Sequence, residues 1–141
     1  MPEGRPARIL IVDDEPDIRL VLEARLQTAG FTVETADDGL QALSHIRANP
    51  PDLVVLDLML PGIDGFSVCA MVKRDQRFNR MPIIMLTARS QPNDRSTGEA
   101  MGADAYMTKP FRADELLAKI RELLKAAEST DERIPAPATA S

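Results

Sequence analysis

Residues 9–14 read ILIVDD, four apolar residues followed by two aspartates. A continuous apolar run of this length is typical of a strand that is buried on both faces of a parallel sheet. Comparable runs are LVVL at 53–56, IIML at 83–86 and the shorter AYM at 105–107. The segment 31–36, in which Val33 and Thr35 favour extended backbone, is expected to form a shorter strand nearer an edge. The sequence therefore predicts five strands.

Apolar residues at helical spacing separate these strands. The stripes consist of Ile18, Val21, Leu22 and Leu26; Leu40, Leu43 and Ile46; Cys69 and Val72 within 66–73; and Leu116, Leu117, Ile120, Leu123 and Leu124. Strict alternation of strands and helices with short connections predicts parallel strands joined by right-handed crossovers. The expected fold is a doubly wound α/β sandwich of three layers, with any ligand site beyond the carboxyl ends of the strands.

The length of 141 residues is that of one domain. A hydrophobic content of 44% excludes a chain that is disordered throughout. Residues 1–7 and 127–141 contain prolines and almost no large apolar side chains. We therefore predict an N-terminal tail over 1–7, a folded domain over 8–126, and a flexible C-terminal tail or linker over 127–141.

Composition excludes several classes of protein. The single cysteine, Cys69, cannot form an internal disulfide, and no cluster of Cys and His indicates a zinc site. No apolar run approaches the ~18 residues of a membrane span, and the N-terminus lacks the apolar core of a signal peptide. A formal net charge of -5 argues against direct contact with nucleic acid, whose phosphates require clustered Lys and Arg. We expect a cytoplasmic protein that contacts neither nucleic acid nor membrane.

Polar side chains follow four of the predicted strands at the point where each strand ends. They are Asp13 and Asp14, Asp57, Thr87 and Lys109. Because parallel strands end at the same edge of a sheet, these side chains should cluster there, and three carboxylates repel one another unless a cation relieves the repulsion. Oxygen ligands beside one ammonium suit Mg²⁺. Such a site also suits phosphoryl transfer to a carboxylate nucleophile, with the metal and the ammonium neutralising the phosphoryl oxygens.

Four segments resemble the signature segments of bacterial response-regulator receiver domains, in particular the single-domain regulators of the chemotaxis type. They are ILIVDDEPD at 9–17, LVVLDLMLPGIDGF at 53–66, PIIMLTAR at 82–89 and GADAYMTKPF at 102–111. The similarity extends from about Ala7 to Lys125, and four segments in order at fitting spacing argue against chance. The resemblance implies a flavodoxin-like (βα)5 fold with strand order 2-1-3-4-5.

The resemblance also implies a role for each acidic residue of the expected cluster. Asp57 matches the phosphoacceptor of the family, and Asp13 and Asp14 match the acidic pair that holds Mg²⁺, for which Mn²⁺ is the alternative ion. In the family, the metal is also bound by the phosphoacceptor and by the backbone carbonyl two residues later, which is that of Met59 in this sequence.

Further positions match residues that contact the phosphoryl group or respond to it. Thr87 and Lys109 match the hydroxyl and the ammonium that contact the group, and Tyr106 matches the aromatic switch that turns inward when the hydroxyl moves. Pro110 matches the proline that follows a cis peptide bond.

The implied function is that of a phosphoprotein in a two-component regulatory system. A histidine kinase or a histidine phosphotransfer protein would donate the phosphoryl group to Asp57, and the modified domain would present a changed surface to a downstream protein target. Catalysis would be confined to the domain's own phosphorylation and dephosphorylation, so we do not expect an enzyme. Because only a tail follows Lys125, we favour a single-domain receiver. The alternative is a receiver fragment of a longer regulator whose effector domain is missing.

Two enzyme classes share parts of this pattern. A dinucleotide-binding fold needs a glycine-rich turn after the first strand, but this sequence has Asp13-Asp14-Glu15-Pro16 there. Phosphatases of the haloacid-dehalogenase type use a strand-end aspartate and Mg²⁺, but they need a second aspartate at the position of Met59. A phosphatase-like hydrolase is therefore kept only as the weaker alternative.

The sequence departs from the family in one segment. Residues 89–98 read RSQPNDRSTG, where the family has a helix, and their low helix propensity predicts a short, displaced or mobile helix. The transcription-factor branch of the family dimerises through charged pairs, of which two lose a partner because Ala105 and Ala126 replace charged residues. We therefore expect a monomer or a weak, phosphorylation-dependent dimer. The positions that match this dimer surface are Arg95, Asp104, Glu115 and Lys119.

Overall fold

A computed structural model describes residues 5–87 and 102–133. In chain order, the elements are β1 (Arg8–Val12), α1 (Pro16–Thr28), β2 (Thr32–Ala36), α2 (Gly39–Ala48), β3 (Leu53–Asp57), α3 (Gly65–Arg74), β4 (Ile83–Thr87), β5 (Ala105–Thr108) and α4 (Ala113–Arg133). The strands form one parallel sheet in the order β2-β1-β3-β4-β5. This confirms the predicted fold and strand order, and it places β2 at an edge, as expected.

A hydrophobic cluster covers each face of the sheet. In β1, Leu10 and Val12 join one cluster, whereas Ile9 and Ile11 join the other, because successive side chains of a strand point to opposite faces. This is the reason why the strand is apolar at every position from Ile9 to Val12. The helices contribute Ala42, Leu43 and Ile46 of α2 with Val68, Cys69 and Val72 of α3 on the first face, and Leu22 and Leu26 of α1 with Leu116 and Ile120 of α4 on the second.

Three helices follow the carboxyl ends of β1, β2 and β3, after two or three residues for α1 and α2 and after a longer loop for α3. Pro16 occupies the first turn of α1, where its missing N–H costs nothing. The carboxylate of Asp38 accepts a hydrogen bond from the Gln41 amide and caps α2, and Asp64 caps α3 through the Ser67 amide, at 2.8 Å in both cases. The N-termini of these helices therefore surround the edge of the sheet where the polar residues were expected.

Two residues of the predicted apolar stripes lie on the surface. Val21 is 61% exposed and Leu40 is 64% exposed, whereas Leu22 and Leu43, their neighbours in the same stripes, are buried. In α1, Leu22 and Leu26 are four residues apart and define the buried line, from which Val21 is rotated by one position. Leu40 lies in the first turn of α2, ahead of the buried Ala42, Leu43 and Ile46.

Regular structure extends beyond both predicted boundaries of the folded domain. Ala7 was assigned to the N-terminal tail, but its side chain is buried and its carbonyl accepts a hydrogen bond from the Thr32 amide. At the other end, α4 continues through Arg133 into the stretch that was assigned to the C-terminal tail. Ala126, Ala127 and Glu128 are good helix formers, so the helix has no local reason to end at residue 126.

Some expectations lie outside the described residues. These are the weak helix predicted within 88–101, with Arg95 in it, and the final part of the tail at 134–141. Among the helices that the structure describes, none is both long enough and apolar enough to cross a membrane.

Candidate functional site

Two neighbouring strands bring three carboxylates together. Asp13 and Asp14 follow β1, Asp57 is the last residue of β3, and these strands pair side by side with Val12 opposite Leu56. One carboxylate oxygen from each of the three aspartates lies within 4.8 Å of the others. Asp13 and Asp57 are almost fully buried, at 1% and 3% exposure, whereas Asp14 is exposed. The cluster therefore has two buried members and one that faces solvent.

Lys109 supplies the positive charge of the site. Its Nζ lies 3.1 Å from Oδ2 of Asp13 and 3.3 Å from Oδ2 of Asp57, and it lies 3.8 Å from the more exposed Glu15. Lys109 directly follows β5, and its backbone N–H donates to the carbonyl of Thr87 at the end of β4. The peptide bond between Lys109 and Pro110 is cis.

The electrostatics of the site follow from burial and crowding. Burial raises the pKa of the Asp57 carboxyl, and the charge of Asp13 raises it further, against the opposing effects of the Lys109 ammonium and the Met59 amide. Burial acts to lower the pKa of Lys109, but the charges of Asp57 and Asp13 outweigh it, so this pKa is raised. Lys109 is therefore fully cationic at neutral pH.

The connection from β3 to α3 shapes the surroundings of Asp57. Oδ1 of Asp57 accepts a hydrogen bond from the Met59 amide at 3.2 Å, and the Met59 side chain is 68% exposed. Gly65 donates its N–H to the Leu58 carbonyl at 2.9 Å. A Cβ at residue 65 would lie only 2.4 Å from the carbonyl oxygen of Asp57, so only glycine allows this approach. The loop therefore folds back tightly against the backbone of Asp57 and Leu58.

Thr87 lies on β4, the strand next to β3, and Tyr106 lies on β5, one strand further out. Thr87 is the last residue of β4 and is 3% exposed, beside Asp57 at the same edge of the sheet. Tyr106 is opposite Met85 in the pairing of β4 with β5, and its ring packs against the cluster that contains Val54 and Met85. Its hydroxyl oxygen is buried. All the predicted site residues therefore lie at the carboxyl edge or on the strands that lead to it.

Sequence reasoning missed the residues that hold the connection between β1 and α1. The backbone N–H of Asp13 donates to the Ala36 carbonyl at 3.2 Å, and Oδ1 of Asp13 accepts from the Glu15 amide at 2.9 Å. The Nη1 group of Arg19 donates to the Asp13 carbonyl at 2.6 Å. The position of Arg19 was a signal in the sequence. A basic residue near the N-terminus of a helix interacts unfavourably with the helix dipole, so a nearby hydrogen-bond acceptor is expected to stabilise it.

The residues present fit a divalent cation. Three carboxylates against one ammonium leave an excess of negative charge at the centre of the site when all are ionised. The donors are oxygens, and one of the three carboxylates faces solvent, as expected of an ion that keeps several of its waters. Within the described residues, this is the group of three acidic side chains that could hold a metal ion.

Comparison with known proteins identifies the family. The family model that matches is that of the response regulator receiver domain, and it covers residues 9–121. The chain belongs to this family. Among solved structures, a receiver domain protein from Methanospirillum hungatei JF-1 is 30% identical with a TM-score of 0.85, and covers 89% of this chain and 99% of its own. The chemotaxis protein CheY4 of Vibrio cholerae is 34% identical with a TM-score of 0.80, covering 84% and 99%.

Curated relatives of this chain are longer than the chain itself. The DNA-binding dual master transcriptional regulator RpaA of Synechocystis is 44% identical over 128 residues, which are 91% of this chain and 52% of that protein. The transcriptional regulatory protein TcrA of Mycobacterium tuberculosis is 48% identical over 116 residues, or 82% and 45%. The chain thus spans about half the length of the curated relatives that it matches.

Proposed function

We propose that this receiver domain accepts a phosphoryl group on Asp57 and relays the modification to a partner protein. The observation that carries the proposal is the position of the Asp57 carboxylate, which is buried at the end of β3 beside the acidic pair and in contact with the ammonium of Lys109. Asp13 lies in the same cluster, with its Oδ2 3.1 Å from Lys109 Nζ, and the match of Asp57 to the phosphoacceptor of the family favours Asp57 over it.

The proposed step transfers a phosphoryl group from a phosphohistidine. An oxygen of the Asp57 carboxylate attacks phosphorus, a P–O bond forms, the P–N bond breaks, and the imidazole leaves with the bonding electron pair and takes up a proton. The Lys109 ammonium, which already contacts Asp57, would form contacts with the phosphoryl oxygens, and the Thr87 hydroxyl would donate a hydrogen bond to them. A bound Mg²⁺, held by Asp13, Asp14, Asp57 and the carbonyl of Met59, would supply further positive charge, with Mn²⁺ as a substitute.

The donor would be a histidine kinase or a histidine phosphotransfer protein of a two-component system. The family of the chain supports this, as does its likeness to a chemotaxis protein. We further propose that the domain acts in the cytoplasm, that it is not an enzyme beyond its own phosphorylation and dephosphorylation, and that Thr87 and Tyr106 form the switch. It would be a monomer or a weak dimer that forms on phosphorylation.

Incubation with a small acyl phosphate and Mg²⁺, followed by intact mass measurement, tests the proposal. We expect an adduct of one phosphoryl group that disappears in Asp57→Asn and when the metal is chelated. Asp37→Asn is the matched control, because Asp37 is an exposed aspartate in the turn after β2. Retention of the adduct in Asp57→Asn would contradict the assignment. Multiple turnover on unrelated phosphoesters would instead support a phosphatase-like hydrolase.

A second candidate concerns the output of the domain. RpaA is a DNA-binding transcriptional regulator, and TcrA is a transcriptional regulatory protein, and this chain matches about half of each. These relatives support a receiver that controls a DNA-binding effector in the same polypeptide. A coding sequence that continues in frame past Ser141 would support this candidate, and a stop codon there would support the single-domain receiver.

A further inference from the structure

Arg19 lies in the second turn of α1, and its side chain points back to the end of β1. Its Nη1 donates to the carbonyl oxygen of Asp13 at 2.6 Å, across the turn that carries both members of the acidic pair. The residue is half-buried. A charged donor at this distance makes one of the stronger hydrogen bonds available to a backbone carbonyl.

This contact completes the restraints on Asp13. Its N–H is held by the carbonyl of Ala36, and its carboxylate is held by the Glu15 amide and by Lys109 Nζ. The carbonyl is the last polar group of the residue, and Arg19 holds it. Asp14 has no comparable restraints, because within the described residues its exposed carboxylate has no hydrogen-bond partner.

We propose that Arg19 is a positioning residue that directs the Asp14 carboxylate toward the metal site by fixing the peptide plane between Asp13 and Asp14. The carbonyl of Asp13 and the Cα of Asp14 belong to the same rigid plane, so holding the oxygen sets the direction from which the Asp14 side chain starts. The inference rests on the proposed Mg²⁺ site and goes beyond it, because it assigns a role to a residue that touches neither metal nor phosphoryl group.

The sign of one substitution separates positioning from simple charge. Arg19→Met removes a positive charge near three carboxylates, which by electrostatics alone would strengthen the binding of a cation. Loss of a positioning contact has the opposite effect, and losses of this kind typically weaken metal binding by about 10–100-fold. Arg25→Met is the matched control, because it removes the same charge from an exposed position in the last turn of the same helix.

The experiment is titration calorimetry of Mg²⁺ into the full chain at fixed pH, without any phosphoryl donor. We expect Arg19→Met to bind Mg²⁺ about tenfold more weakly than the wild type, Arg25→Met to match the wild type, and Arg19→Lys to lie between them. Lysine keeps the charge and one donor but lacks the planar guanidinium. Should Arg19→Met fail to fold, the Lys variant decides, since an affinity equal to that of the wild type would overturn the inference.

The remaining outcomes are equally decisive. Binding by Arg19→Met that equals or exceeds that of the wild type overturns the positioning role, and so does equal weakening in Arg19→Met and Arg25→Met. Neither result touches the proposed phosphoacceptor site. A wild-type chain that fails to bind Mg²⁺ would overturn the metal site and this inference together.

Discussion

Asp57 shows how burial and neighbouring charges oppose each other at a single carboxylate. A buried carboxylate beside another carboxylate is unfavourable in its charged form, and one ammonium at 3.3 Å offsets this only in part. The pKa of Asp57 is raised because burial and the charge of Asp13 outweigh the effect of Lys109. The negative charge of the Asp57 carboxylate is only partly neutralised in the metal-free protein. A bound cation would therefore stabilise it strongly, as a phosphoacceptor requires.

This balance predicts that Asp57→Asn is more stable than the wild type at neutral pH without metal. The pKa of Asp57 is raised in the folded state above its ordinary value, so the folded protein binds this proton more tightly than the unfolded chain. Wild-type stability therefore falls as pH rises through the window above the ordinary value of about 4, and the uncharged variant does not share this loss. Urea unfolding in EDTA at several pH values measures the gap, which should close in acid. The control Asp37→Asn should show no such gap. If Asp57→Asn were less stable than the wild type at neutral pH, the attraction between Asp57 and Lys109 would outweigh the cost of burial.

At the residue scale, prediction from the sequence succeeded where topology decides position and failed where a single side chain does. Asp13, Asp57 and Lys109 could be placed together because each ends a strand of one parallel sheet. Arg19 could not, because its contact spans six residues across a turn and leaves no periodic pattern. The exposure of Val21 was missed because a stripe of apolar letters does not show which of two adjacent residues faces the sheet.

At the scale of the element, Lys73 joins three parts of the chain at the amino edge of the sheet. Its Nζ donates to the Met81 carbonyl at 2.7 Å and to Asp104 Oδ2 at 2.8 Å. The same Asp104 oxygen accepts from the Ile83 amide at 2.8 Å. The end of α3 is thus tied to the starts of β4 and β5. Asp104, which the sequence offered as a dimer contact, has a partner within its own chain.

Lys73→Met should therefore destabilise the fold. Its side chain is 14% exposed, and its removal takes a donor from the Met81 carbonyl and the ion pair from Asp104, which keeps the hydrogen bond from the Ile83 amide. We expect a loss of about 2 kcal/mol in the free energy of unfolding, below the 3–5 kcal/mol typical of a fully buried pair because Asp104 is partly exposed. Lys119→Met, which removes an exposed pair with Glu122, is the control and should cost less than about 1 kcal/mol. Equal losses in the two variants would show that the Lys73 network adds nothing to an ordinary surface pair.

The loop between β3 and α3 predicts a different kind of effect at Gly65. A methyl group there would meet backbone atoms, 2.4 Å from the Asp57 carbonyl oxygen and 2.8 Å from the Leu58 Cα, so the loop itself must move. We expect Gly65→Ala to cost about 2–3 kcal/mol, at the upper end for overpacking, and to reduce phosphoryl labelling of Asp57. Gly62→Ala is the contrast, because its space is open and only its φ of +75° is unfavourable, at about 1–2 kcal/mol. Unfolding in urea and intact mass report the two effects, and full labelling in Gly65→Ala would mean that the loop does not govern the carboxylate.

For the whole molecule, the strand order places the two charged partners of the site, Asp57 and Lys109, at the ends of strands with different surroundings. β3 lies in the middle of the sheet with every residue buried, whereas β5 is an edge strand with every residue half-buried. The five-strand pattern was readable from apolar runs, and the order came from the family resemblance. The length of α4 was not readable, because Ala and Glu near residue 127 suit a helix as well as a tail. Asp57 thus ends a central strand that is fully buried, and Lys109 follows one of the two edge strands.

This difference predicts where a phosphoryl group should change the dynamics. Beryllium fluoride with Mg²⁺ mimics the group on Asp57, and Lys109 would then be held by new oxygens at the end of β5. Local stabilisation of about 1.4 kcal/mol would slow amide exchange in Ala105–Thr108 about tenfold. Exchange in Leu53–Asp57 should stay slow in both states, because that strand is paired on both sides.

Hydrogen exchange measured by mass spectrometry, with and without the mimic, checks this prediction, and Asp57→Asn with the same additives is the control. Slower exchange in β5 that persists in Asp57→Asn would trace the effect to the additives and not to the site. Unchanged exchange in β5 of the wild type would contradict a signal that passes through Lys109. The route from Asp57 to a partner would then have to leave through another connection at the carboxyl edge, such as the one between β3 and α3.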